Sequence, residues 1–161
     1  MIIKFTLNDI ETTVDINPFT RLSTMLRENF GLLLTKETCL TGECGACTVL
    51  LDGVPVPSCV ILAFTVKNRK VITLENYENS ENCDIIKKSL KSAGCYLCGY
   101  CKQGKLLVIQ HLIERHKELS DTDISEALSG NLCECIDIKS LKKGIKLAHL
   151  TIKRKEKAWK Y

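Results

Sequence analysis

Cys39-Leu40-Thr41-Gly42-Glu43-Cys44-Gly45-Ala46-Cys47 places three thiols in one short loop, separated by four and then two residues, and Cys59 follows after eleven more. Gly42, Gly45 and Ala46 carry little or no side chain, so the backbone there can pass close to a bound group and turn its N–H groups toward it. Thiolates converging from one loop form a soft donor set, suited to zinc or to iron with inorganic sulfide. The chain of 161 residues holds ten cysteines, which in a short exported protein would indicate a disulfide framework. Met1 to Ile16, however, is a charged, alternating stretch without the apolar core and small-residue cleavage site of an export signal. The chain is therefore expected in the cytoplasm, where clustered thiols are metal ligands or redox groups rather than structural disulfides.

The C-x4-C-x2-C...C arrangement of Cys39, Cys44, Cys47 and Cys59 is that of plant-type 2Fe-2S proteins, in which one loop wraps the cluster and a fourth thiolate comes from elsewhere. Structural zinc sites favour paired short spacings such as two C-x2-C units, so this set favours iron-sulfur. A second set, Cys98, Cys101, Cys133 and Cys135, has gaps of two, thirty-one and one, and by spacing alone suits zinc and iron equally. Cys98 and Cys101 precede a long helical segment and Cys133 and Cys135 fall between the last two helices, so a helix pair can bring all four to one end of a bundle. Cys83 and Cys95 remain, and are read as buried apolar thiols.

Outward from the first cysteine loop, hydrophobic periodicity divides the chain at the polar stretch 76–82. Before it, Ile3, Phe5 and Leu7 alternate with polar residues, Asn8-Asp9 supplies turn chemistry, and Thr12, Val14 and Ile16 alternate again, which predicts a hairpin. Thr20 is expected to cap a helix through Leu22, Met25, Leu26 and Phe30 that stops at Gly31. Asp52-Gly53 joins Thr48–Leu51 to Val54–Val56 as a second hairpin, and Val71–Leu74 reads as a further strand. Behind the linker the period becomes helical: Ile85, Ile86 and Leu90 mark one helix, and Leu106, Ile109 and Ile113 a longer one. Ser120 opens a third with Ile124 and Leu128, and Asp137 caps a fourth with Leu141, Ile145 and Ala148.

Several function classes are excluded. The hydrophobic fraction of 45% and charged fraction of 26% are those of a globular protein. Apolar runs such as Val60–Phe64 fall far short of the roughly 18 residues of a membrane span. The net charge of +4 leaves out thiolates, and two oxidised clusters of about −2 each would bring it to about zero. The basic run Lys153, Arg154, Lys155, Lys157 and Lys160, with Glu156 and Trp159, reads as a solvated tail or helix end rather than a nucleic-acid patch. G-x-G-x-x-G, P-loop and nucleophile-elbow motifs are absent, and His111, His116 and His149 fall in helical segments without acidic partners at metal spacing. The chain looks able to hold electrons but not to bind a substrate, so no catalytic residue is assigned.

Both cysteine sets, their order and the sheet-then-bundle layout resemble the small iron-sulfur subunit of molybdenum hydroxylases, the xanthine dehydrogenase family. The likeness spans about residues 1–150 and rests on Leu26-Arg27-Glu28, Cys39 to Thr48, Asp52-Gly53, Ser58-Cys59, Cys98-Gly99-Tyr100-Cys101 and Gly130-Asn131-Leu132-Cys133 followed by Cys135. It implies an α+β fold: a β-grasp plant-type ferredoxin-like domain over 1–76, a four-helix bundle domain over 83–150, and a basic tail over 151–161. It implies that Cys39, Cys44, Cys47 and Cys59 hold the 2Fe-2S cluster nearer a flavin, and Cys98, Cys101, Cys133 and Cys135 the one nearer a molybdenum-pterin cofactor. Gly42, Gly45 and Gly99 are the candidates for backbone approach to the clusters.

The resemblance further implies an electron relay within a hetero-oligomer, between a large molybdenum-pterin subunit and an FAD subunit or another acceptor. This sequence departs from the family pattern where that pattern faces the pterin: Leu97 stands for glutamine, Lys102-Gln103 for Thr-Pro, and Glu134 and Ile136 for the usual Arg and Thr. Glu134, beside Cys135, is expected to lower the potential of the bundle cluster. Two other classes fit the cysteines: a stand-alone ferredoxin-like carrier, which would purify alone, and a zinc-stabilised interaction module, which would be colourless.

Overall fold

A computed structural model describes residues 1–131 and 136–158; Leu132, Cys133, Glu134 and Cys135 lie outside them, as do Trp159, Lys160 and Tyr161. Strands β1 (Ile2–Leu7) and β2 (Ile10–Asp15) form the first hairpin, and β3 (Thr48–Leu51) and β4 (Val54–Pro57) the second. Both turns match their sequences, with Asn8, Asp9, Asp52 and Gly53 all at positive φ as a two-residue hairpin turn requires. Strand β5 (Lys70–Ile72) joins them, parallel to β1 and antiparallel to β3, in a sheet of order β2-β1-β5-β3-β4. Helix α1 (Leu22–Glu28) covers one face, burying Leu22, Met25 and Leu26 with Ile3, Phe5, Val49 and Leu51.

Helices α3 (Glu81–Ser92), α4 (Lys102–Arg115), α5 (Asp121–Ala127) and α6 (Ile138–Ala158) form the second half, which makes the fold α+β as expected. Ser120 and Asp123 make a reciprocal capping box at α5, and Asp137 accepts from the backbone of Ser140 at the start of α6. Helices α3 and α6 cross closely at Gly144, where a Cβ would stand 2.9 Å from the Leu90 Cα. The basic run from Lys153 forms the last turns of α6 rather than a separate tail through Ala158.

The two halves share an apolar seam. Strand β3 is buried throughout, and its two-residue period sends Val49 and Leu51 into the sheet core but Leu50 into the bundle core beside Leu106, Ile109 and Leu112. The linker is shorter than its polarity suggests: Leu74–Tyr77 forms a turn of helix, α2, whose Leu74 and Tyr77 join the bundle core. Two boundaries also differ from sequence expectation. Helix α1 begins at Leu22 without a Thr20 side-chain cap, because the Ile61 carbonyl accepts from Leu22 N–H at 2.7 Å and does the cap's work from across the chain. Strand β5 stops at Ile72, because Asn8 takes the Thr73 N–H at 2.9 Å and diverts it from the ladder.

Candidate metal centres

The first site is the loop between α1 and β3, together with the short 3-10 turn Ser58–Val60 that carries Cys59. Cys47 and Cys59 are buried, while Cys39 and Cys44 are half-buried at the outer side. The loop is pinned from outside itself. Ser58 Oγ donates to the Cys47 carbonyl at 2.7 Å and Thr48 Oγ1 to the Gly45 carbonyl at 2.7 Å. Arg27 donates to the carbonyls of Leu33 and Thr35 at 3.2 and 2.9 Å, and Ser23 and Thr24 donate to Glu37 at 2.6 and 2.7 Å. These anchors fix the approach to Cys39; Arg27, Thr48 and Ser58 stand within the motifs of the sequence, which assign them no role.

The Cys39 thiol interacts with that of Cys44, and the Cys59 thiol with those of Cys47 and Cys39. Donors from the Thr41 side chain and from the Cys44 and Thr41 N–H groups, with the Cys44 thiol, hold the Cys39 thiol down to about 5, so it is a ready thiolate. Burial, then the Cys47 thiol, pushes Cys59 up. Among the described residues no three His, Cys, Asp or Glu side chains gather as they would around one ion. A two-iron cluster takes four thiolates, two at each iron, and four thiols that interact with one another fit that donor set. Leu40 and Gly42 at positive φ turn the loop, and a Cβ on Gly42 would reach the Val60 side chain at 3.4 Å.

In the second site Cys98 and Cys101 bring their sulfurs to 3.2 Å at the start of α4, with Cys101 in the N-cap position. Cys133 and Cys135 lie outside the described residues, as does Glu134. Gly99 has open space around its Cβ position, and Gln103, one of the departures from the family pattern, donates to its carbonyl at 2.9 Å. Tyr96 and Tyr100 flank this loop in the open, 69% and 72% exposed, while Cys98 is half-buried and Cys101 buried. Cys83 is fully buried in the bundle core, where burial raises its thiol, and Cys95 is buried at the end of α3. His149 is buried and its Nε2 lies 3.0 Å from the His116 carbonyl, a packing role.

The two sites touch. A Cβ on Gly45 would lie 2.4 Å from Asn131 Cγ and 2.6 Å from the Gly130 carbonyl, and one on Gly104 would lie 1.9 Å from the Gly45 carbonyl. Gly45 sits between Cys44 and Cys47 and Gly104 follows Cys101, so backbone of the first cysteine loop, of the start of α4 and of Gly130-Asn131 meets side by side. Motif spacing carried no signal for this junction, because it joins residues far apart in the chain.

Comparison with known proteins gives the family. A family model described as a [2Fe-2S] binding domain matches residues 73–146. The chain is 38% identical over 133 residues to the nicotinate dehydrogenase small FeS subunit of Eubacterium barkeri, covering 83% of this chain and 85% of that one. It is 36% identical over 135 residues to the xanthine dehydrogenase iron-sulfur-binding subunit of Escherichia coli O157:H7, covering 83% and 84%. The crystal structure of quinoline 2-oxidoreductase from Pseudomonas putida 86 superposes with a TM-score of 0.85 at 29% identity, covering 96% of both chains. Aldehyde oxidoreductase from Desulfovibrio gigas superposes with a TM-score of 0.84 at 28% identity over 96% of this chain, which corresponds to 17% of that longer protein.

Proposed function

The chain belongs to the iron-sulfur small subunits of the xanthine and nicotinate dehydrogenase family of molybdenum hydroxylases, and from that premise we propose which residues carry its electrons and between which partners. As the iron-sulfur subunit of such an oxidoreductase it works in electron transfer. Cys39, Cys44, Cys47 and Cys59 hold one 2Fe-2S cluster, and Cys98, Cys101, Cys133 and Cys135 hold a second. The observation that carries this is that the thiols of Cys39, Cys44, Cys47 and Cys59 stand within interaction range of one another, and those of Cys98 and Cys101 at 3.2 Å, as thiolate donor sets require.

A bound 2Fe-2S cluster stores and passes one electron without proton transfer or bond making. The rest falls to this chain. Thr41 and Cys44 stabilise the Cys39 thiolate, while burial of Cys47 and Cys59 keeps water from the inner thiolates. The contact of Gly45 with Gly104 and Asn131 keeps the two sites adjacent, so no side chain intervenes there.

The partners are a large subunit with a molybdenum-pterin cofactor, facing the bundle site, and an FAD subunit or other acceptor, facing the loop site. Electrons run from the bundle site to the loop site. No described helix is long and apolar enough to cross a membrane, and the location in this reading is cytoplasmic. Anaerobic purification of the native assembly tests it: co-elution of this chain with molybdenum, pterin and flavin supports the reading, and a chain that elutes alone contradicts it. Metal-replete isolated chain should leave purines, aldehydes and N-heterocycles unoxidised with an artificial acceptor; turnover by the chain alone would overturn the subunit reading.

A further inference from the structure

Lys105 lies in the first turns of α4 and is 3% exposed, an unusual place for an ammonium group. Its Nζ donates to the Asn131 carbonyl at 2.7 Å, and its backbone N–H donates to the Cys101 carbonyl at 3.1 Å. No carboxylate among the described residues forms an ion pair with it. Asn131 in turn presses its side chain against Gly45 and Gly104, and its buried Oδ1 has no hydrogen-bond partner among the described residues. The lysine head is thus held at the backbone junction where Gly45, Gly104 and Asn131 meet.

A buried ammonium bonded to a single carbonyl is unfavourable by several kcal/mol unless negative charge lies near it. Thiolate-ligated clusters held at the adjoining cysteines would supply that charge, and reduction would add one further negative charge to a cluster. We infer that Lys105 is a positioning residue whose buried charge, set at the junction of the first cysteine loop with the start of α4, favours the reduced form of both clusters and so raises their potentials. Each reduction adds one electron and makes or breaks no bond. Burial strengthens the effect, because a surface cation would be screened within a Debye length. The inference rests on the assignment of the cysteines as cluster ligands.

The test is a redox titration of the full chain, purified anaerobically with its clusters, for the parent and for Lys105→Gln, Lys105→Met and Lys105→Arg. Dithionite supplies the electrons and is oxidised to sulfite, and electron paramagnetic resonance reads each cluster separately. At the potential where half of the parent's clusters are reduced, the ratio of reduced to oxidised cluster should fall at least threefold in the Gln and Met variants. It should return toward the parent value in Lys105→Arg. A variant pair that loads both clusters and leaves these ratios unchanged overturns the inference. Loss of clusters in all three variants also overturns it, by showing a scaffold role. Loss in the neutral variants with retention in Lys105→Arg supports a need for the charge. A parent that lacks both signals contradicts the cluster assignment itself and removes the basis of the inference, a result distinct from unmoved potentials.

Discussion

The Gly45 carbonyl stands where a Cβ on Gly104 would approach it to 1.9 Å, so the loop site and the start of α4 are in backbone contact. A methyl group there forces the segments apart. Gly104→Ala should therefore destabilise the chain by about 2 kcal/mol or more, in the range of overpacked cores. Denaturant unfolding of the two proteins side by side reads this directly, and unchanged stability would mean that the segments separate freely.

Ligand and spare thiols should separate cleanly. Cys44→Ser is expected to abolish the paramagnetic signal of the loop cluster and Cys101→Ser that of the bundle cluster. Cys83→Ala and Cys95→Ala should keep both signals. Cys83→Ala should lower stability by about 1 kcal/mol, because it empties a sulfur-sized space in a packed core. A signal lost in either spare variant would show a wrong ligand assignment.

Arg27 should matter to the loop cluster without being a ligand. Its guanidinium holds the carbonyls of Leu33 and Thr35, so Arg27→Ala removes two charge-assisted bonds and should cost about 2 kcal/mol. Thermal melts combined with cluster-resolved spectra check this. The loop signal should weaken before the bundle signal, and equal loss of both would contradict a local role.

Glu78 ties the linker to both neighbouring helices, with Oε1 at 3.2 Å from Lys102 and 3.4 Å from Lys87. Partial burial raises its carboxyl, but the bonds and charges of Lys102 and Lys87 outweigh that and leave it below the ordinary value of 4.5. A carboxyl lowered on folding adds stability that is complete above its ordinary value and is lost as pH falls through the lowered one. Glu78→Gln should then cost about 0.5 kcal/mol at pH 7, since the pair is partly exposed, and the difference should close under acid. Urea titrations at neutral and acid pH test this; a difference that persists in acid would rule out the charge pairing.

Local chemistry carried much of this architecture. Asn8-Asp9 and Asp52-Gly53 forced their hairpins through positive φ, and Ser120 with Asp123 closed its capping box, because each depends on neighbours in sequence. Periodicity located the bundle helices through Ile109 and Ile145, and motif spacing picked out thiols that pair in space, Cys39 with Cys44 and Cys98 with Cys101. Features set by partners far along the chain were not legible. The start of α1 depends on the Ile61 carbonyl, the end of β5 on Asn8, and the Lys105 environment on Asn131, and no local pattern encodes those meetings.

The central claim is that this chain holds two clusters on two sets of cysteines. Iron and acid-labile sulfide analysis of anaerobically purified protein, with paramagnetic resonance after reduction, measures it most directly. The account predicts about four irons and four sulfides per chain and two distinguishable reduced-cluster signals. Bound zinc with no reduced-cluster signal, or a single cluster per chain, would contradict it.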